Sequence, residues 1–91
     1  MADEPTAEQL VAELRKAKVS DLLVHTCSMV ASLGFAKLDA EGRDLEQARL
    51  AIESLRALLP VLEGVVPEDV LRDFRQVTSN LQLAYAEAAK T

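Results

Sequence analysis

Two apolar rows at alternating three- and four-residue steps constrain this 91-residue chain more than any other feature it carries. One row runs Leu45, Ala48, Ile52, Leu55, Leu59, Leu62, and the other runs Val70, Phe74, Val77, Leu81, Ala84, Ala88. A helix turns once per 3.6 residues, so these steps hold each row on one face, whereas a strand would need a period of two. Gly64 and Pro67 stand between the rows and interrupt the helical phase. The pattern predicts two helices joined by a short connection and packed lengthwise as an antiparallel hairpin.

The rest of the chain fits the same architecture. Its apolar content is carried by Leu, Val and Ala, with no Trp, one Tyr and two Phe, a mixture suited to interdigitated helices rather than an aromatic-centred barrel. Thr6 followed by Gln9 has the spacing of a capping box, and Leu10, Leu14 and Ala17 mark a short first helix ending near Lys18. Its apolar stripe is narrow, so it docks loosely or stays partly free. Continuing that stripe four residues from Ala17 lands on Asp21, which predicts a break or bend before the second helix.

Ser20 is the N-cap expected for that second helix, with Val19 and Val24 as a hydrophobic staple. The helix is expected to run to about Leu33 and to end on Gly34 as a left-handed cap. Leu22, Leu23, Thr26, Cys27, Met29, Val30 and Leu33 spread apolar surface over more than half of its circumference, as in a helix that is buried or contacted from two sides. Residues 35–43 read as a loop whose Phe35 and Leu38 fold back on the core. Asp44 caps the third helix, with Gln47 at the reciprocal position.

Pro60 removes one hydrogen bond and crowds the carbonyl of Arg56, yet the seam continues to Leu62, so a kink or a loosened last turn is expected before Gly64. Pro67 suits the first position of a fourth helix reaching about Ala88. Glu46 with Arg49, Glu53 with Arg56, and Asp69 with Arg72 have the spacing of surface ion pairs. The expected fold is therefore all-α with four helices, the last two a hairpin. Residues 1–5 form a flexible tail and residues 6–91 a single domain without internal repeats.

The chemistry excluded is as informative. The net charge of -5 repels phosphate backbones and argues against a nucleic-acid partner, and Arg15, Lys16 and Lys18 are accounted for by the end of the first helix. Cys27 is the single cysteine and His25 the single histidine. Two residues apart on a helix, they point in nearly opposite directions and cannot share a metal, which leaves Cys27 as a small apolar core residue and His25 at the boundary.

Asp39, Glu41, Gly42 and Asp44 miss the spacing of a calcium loop and read as turn and cap residues. Gly34, Gly42 and Gly64 are scattered singly, so no phosphate-cradling loop exists, and no nucleophile has an assignable base. These readings predict no cofactor, no metal and no enzymatic activity. The acidic start followed by no apolar run of about 18 residues predicts a cytoplasmic protein without a membrane partner.

The third helix carries more apolar surface than one seam needs. Leu50, Ala57 and Val61 lie off the main row, as do Ala51 and Leu58. Either this helix is central and wrapped by the others, or its second stripe meets another chain. Small helical domains commonly supplement a thin core by oligomerising, which favours Leu50, Ala57, Leu58 and Val61 as a candidate interface. The expected function is protein–protein association, as a homo-oligomer or an adaptor. The alternative is a binding module for a small apolar ligand held between helices, with His25 and Tyr85 as its polar groups.

Residues from about Ser20 to Glu87 resemble a small bacterial family of uncharacterised proteins, domain of unknown function 1844. The resemblance is carried by Ala31-Ser32-Leu33-Gly34, by Asp44-Leu45-Glu46-Gln47-Ala48-Arg49 leading to Ile52-Glu53-Ser54-Leu55, and by the closing helix to Tyr85. The stretch Leu62-Glu63-Gly64-Val65-Val66-Pro67 departs from the family's Lys-Thr and Gly-Asn turn. The resemblance implies a helical cytoplasmic bacterial protein and supplies no activity, cofactor or catalytic residue.

Overall fold

The computed structural model describes Glu4 and residues 6–90, so the expected tail over residues 1–5 lies almost wholly outside the described residues. The described residues form four α-helices and no strand: α1 (Ala7–Lys16), α2 (Val19–Ala36), α3 (Leu45–Leu58) and α4 (Glu68–Ala89). Short 3-10 turns lie at Ala40–Gly42 and Leu59–Leu62. The helices α2, α3 and α4 pack on one another pairwise, and α1 takes no comparable part.

Local chemistry accounts for most boundaries. The Thr6 hydroxyl accepts from the Gln9 backbone N–H at 3.1 Å and the Gln9 side chain accepts from the Thr6 N–H at 2.9 Å, closing the capping box of α1. Extended backbone at Ala17 and Lys18 then separates α1 from α2, the break expected from the phase slip at Asp21. The Asp44 carboxylate accepts from Gln47 N–H at 3.2 Å and starts α3. The loop before it is tied by Asp44 N–H donating to the Lys37 carbonyl at 2.8 Å and Arg43 Nε donating to the Leu38 carbonyl.

Pro60 behaves as a loosened last turn. The chain tightens from α to 3-10 geometry at Leu59, and a 3-10 helix has three residues per turn. Leu59 and Leu62 therefore eclipse and both stay buried, while Pro60 and Val61 face solvent. The change of helix type is what lets the seam pass through a proline. Gly64, with φ of 77°, turns the chain in the left-handed region before α4. Pro67 is the residue before α4 rather than its first residue.

Several expectations are corrected. Helix α2 starts at Val19 with Lys18 as an uncapped N-cap, so Ser20 is already inside it. It also runs through Gly34 to Ala36, and Gly34 is buried with no positive φ. Its role is close packing: a Cβ there would lie 2.9 Å from the Ala51 Cβ and 2.8 Å from a Leu81 methyl, so α2, α3 and α4 converge on a position with room for hydrogen alone. Phe35 stays substantially exposed, whereas Leu38 does fold onto the core. Arg49 pairs with Glu53 at 3.1 Å instead of with Glu46, and Arg72 lies beside Asp73 instead of Asp69. Arg75 on α4 reaches back to Glu63 in the connection.

The core holds the α3 row almost intact, with Ala48, Ile52, Leu55, Leu59 and Leu62 buried and Leu45 packed against them. The α4 row is rotated from the expected one, because Leu71 and Thr78 are buried while Val70, Phe74 and Val77 are half-buried. The Thr78 hydroxyl donates to the Phe74 carbonyl at 2.8 Å, which satisfies it inside the helix and permits its burial. Helix α2 contributes only small residues to the fully buried layer: Cys27, Ala31 and Gly34.

The result is a thin and open molecule, 52 × 38 × 17 Å along its principal axes. Its radius of gyration is 16.6 Å, against about 12 Å for a compact chain of this length. Helix α2 is also 18 residues long and apolar enough, by length and composition, to cross a membrane. That corrects the expectation that no such stretch exists. Among the described residues it is one helix of this kind, near the start of the chain, and core helices of soluble proteins meet the same criterion.

Candidate association surface

The apolar residues that the core leaves uncovered gather mainly on α2. Its inner row, Cys27, Ala31 and Gly34, packs on α3 and α4 with Leu23 and Val30 flanking it. Its outer row, Leu22, Met29 and Leu33, is 62%, 55% and 57% exposed. The spacing of seven and four residues sets these three on one helical face. No Asp, Glu, Lys or Arg occurs between Leu22 and Ala36, so the face is uncharged along its length. Ser28, Ser32 and Ala36 border it and share a shallow cleft with Met29 and Leu33.

Leu33 also opens onto α3. A groove of about 180 Å³ between the two helices is lined by Val30, Leu33, Gly34, Lys37, Gln47, Leu50, Ala51 and Ser54. Leu50 is 57% exposed at its edge. The outer face of α2 and the expected second stripe of α3 thus join through Leu33 and Leu50.

The four expected interface residues differ in exposure. Leu50 and Ala57 are exposed, as is Val61 at the 3-10 turn. Leu58 is half-buried, with part of its side chain against the core. The outer row of α2 was visible in the sequence as apolar surface around most of that helix. Helices of the same chain cover its inner row and leave the outer row exposed.

The remaining candidates supply no chemistry. Cys27 is fully buried, and burial pushes its thiol above the ordinary value of 9.0. His25 is exposed, and neither it nor Tyr85 lines the α2–α3 groove. Among the described residues, no three His, Cys, Asp or Glu side chains gather where they could hold a metal ion. No buried side-chain polar atom among them lacks a hydrogen-bond partner. No family model, curated protein or solved structure matches the sequence.

Proposed function

We propose that the chain works by protein–protein association, as a cytoplasmic, non-enzymatic helical module that pairs with itself. The observation that carries this reading is the uncovered apolar surface. Among the described residues, twelve large apolar side chains are exposed, including Leu10 and Leu14 on α1, Leu22, Met29 and Leu33 on α2, and Leu50 on α3. Scattered apolar residues are ordinary on a protein surface, but a contiguous uncharged helix face marks an interaction site.

The proposed arrangement keeps the last two helices as an antiparallel hairpin. It is supported by the positions of two contacts along the chain. Ser20 and Val24 share a cleft with Val66 and Val70, while Gly34 meets Leu81 farther along both helices. Helices α2 and α4 then advance in the same sense, and α3 returns between them. The likeness to the domain of unknown function 1844 family is part of the same proposal, and it adds no activity.

A small-ligand module is less well supported. Its expected polar groups, His25 and Tyr85, line neither the α2–α3 groove nor the shallow cleft on α2. A bilayer is disfavoured as partner because α2 packs on two helices that carry exposed Arg49, Glu53, Arg72 and Asp73. Light scattering on the purified full chain over a wide dilution series tests self-association. A mass above the 9.9 kDa of one chain is expected, and a monomer throughout refutes it.

A further inference from the structure

We infer that the occupant of the outer α2 face is the same face of a second copy, in a two-fold dimer centred on Leu22, Met29 and Leu33. The inference rests on the self-association proposed above and specifies its surface. The first support is area. The accessible surface is 6768 Å², whereas a compact monomer of this mass exposes about 5,200 Å². The excess is roughly 1,500 Å², and a specific complex needs about 800 Å² from each partner. Helix α1, which has no buried residue, accounts for part of the excess. One partner's share of a complex of standard size corresponds to about half of that excess.

Charge is the second support. Two copies of a chain with net charge -5 repel at most faces they could share. A two-fold interface sets each residue near its own counterpart or that of a neighbour, so a like charge on the face would meet itself. The segment from Leu22 to Ala36 carries no Asp, Glu, Lys or Arg, which makes it the long helical face where self-pairing places no acids together. The third support is shape. Ser28, Ser32 and Ala36 lie beside Met29 and Leu33, giving large side chains next to small ones, as knobs and holes of two helices require. The molecule is only 17 Å thick, and a second layer against α2 closes the open side of the slab.

Sedimentation of the full chain and three variants tests this. Leu33→Asp and Met29→Asp place a charge on the face at positions more than half exposed, so the monomer keeps its fold, checked by circular dichroism. Each should weaken dimerisation about thirtyfold or more, the loss of an interface hot spot. Leu83→Asp, on the outer side of α4 and 68% exposed, should leave the dimer unchanged. If the wild type dimerises and both α2 variants dimerise equally well, the α2 assignment is overturned while self-association stands. If the wild type stays monomeric at every concentration, both fail. A monomer that floats with neutral lipid vesicles, and loses that binding in Leu33→Asp, overturns the dimer in favour of a lipid partner.

Discussion

Replacing Gly34 by Ala tests the three-helix crossing at its tightest point. The added Cβ meets the Ala51 Cβ at 2.9 Å and Leu81 methyls at 2.8 and 3.4 Å. A Leu methyl can swing aside, but Leu81 is fully buried and the Ala51 Cβ is fixed to the α3 backbone, so the helices themselves must move apart. Gly→Ala in a helix interior ordinarily gains about 0.8–1 kcal/mol of propensity. Overpacking a filled site costs about 1–3 kcal/mol. The net expectation is a loss of up to about 2 kcal/mol, or several degrees in Tm, since each kcal/mol shifts a domain of this size by about 4–8 °C. Urea denaturation measures it. The double variant Gly34→Ala with Ala51→Gly removes the rigid contact, so it should be more stable than the two single losses sum to, by about 0.5 kcal/mol or more. If Gly34→Ala alone stabilises the chain by the full propensity gain, the close approach of α2 to α3 does not exist.

Two further outcomes follow from the core. Leu55→Ala, at a fully buried position, should cost about 2–5 kcal/mol, while Glu53→Ala loses an exposed pair with Arg49 and should change stability by less than about 0.5 kcal/mol. Equal damage from the two in chemical denaturation would show that the wrong face of α3 has been assigned to the core. Cys27 should react with a thiol reagent at a rate limited by opening of the fold. Because burial raises its thiol, the folded chain holds the proton where the unfolded chain loses it, so stability contributed at this site falls as pH rises above 9.0. Cys27→Ala should cost about 1 kcal/mol at neutral pH and flatten that decline, and a decline as steep in the variant as in the parent would remove the thiol as its cause.

The legible parts of this fold were those where local chemistry and packing agree. Thr6 with Gln9 and Asp44 with Gln47 gave helix starts through bonds spanning three residues, and the α3 row announced its buried face through period alone. Gly34 was misread because a glycine late in an apolar helix has the same local signature whether it ends the helix or admits a neighbour. The deciding atoms, on Ala51 and Leu81, are distant in sequence. The α4 face was read one step off because Thr78 appears polar, and its burial depends on a bond to its own helix. The candidate surface is partly legible: the excess of apolar residues on α2 and α3 is evident in the sequence, but which of them the chain covers is a tertiary property that leaves Leu58 half-buried and Leu22, Met29 and Leu33 exposed.

The two extended residues between α1 and α2 have a consequence for how this protein melts. The ten residues of α1 are held by their own cap and hydrogen bonds, with nothing buried against the rest of the chain. A helix that short is marginal in water by itself. In the isolated monomer its unwinding is therefore uncoupled from the cooperative transition of the other three helices, and it contributes almost nothing to the heat-capacity change of unfolding. Far-ultraviolet circular dichroism counts every helical residue, whereas the fluorescence of Tyr85, the single tyrosine, reports from α4 beside the core. The two signals should trace different curves on heating. The separation between them measures how far the chain departs from a single all-or-none transition.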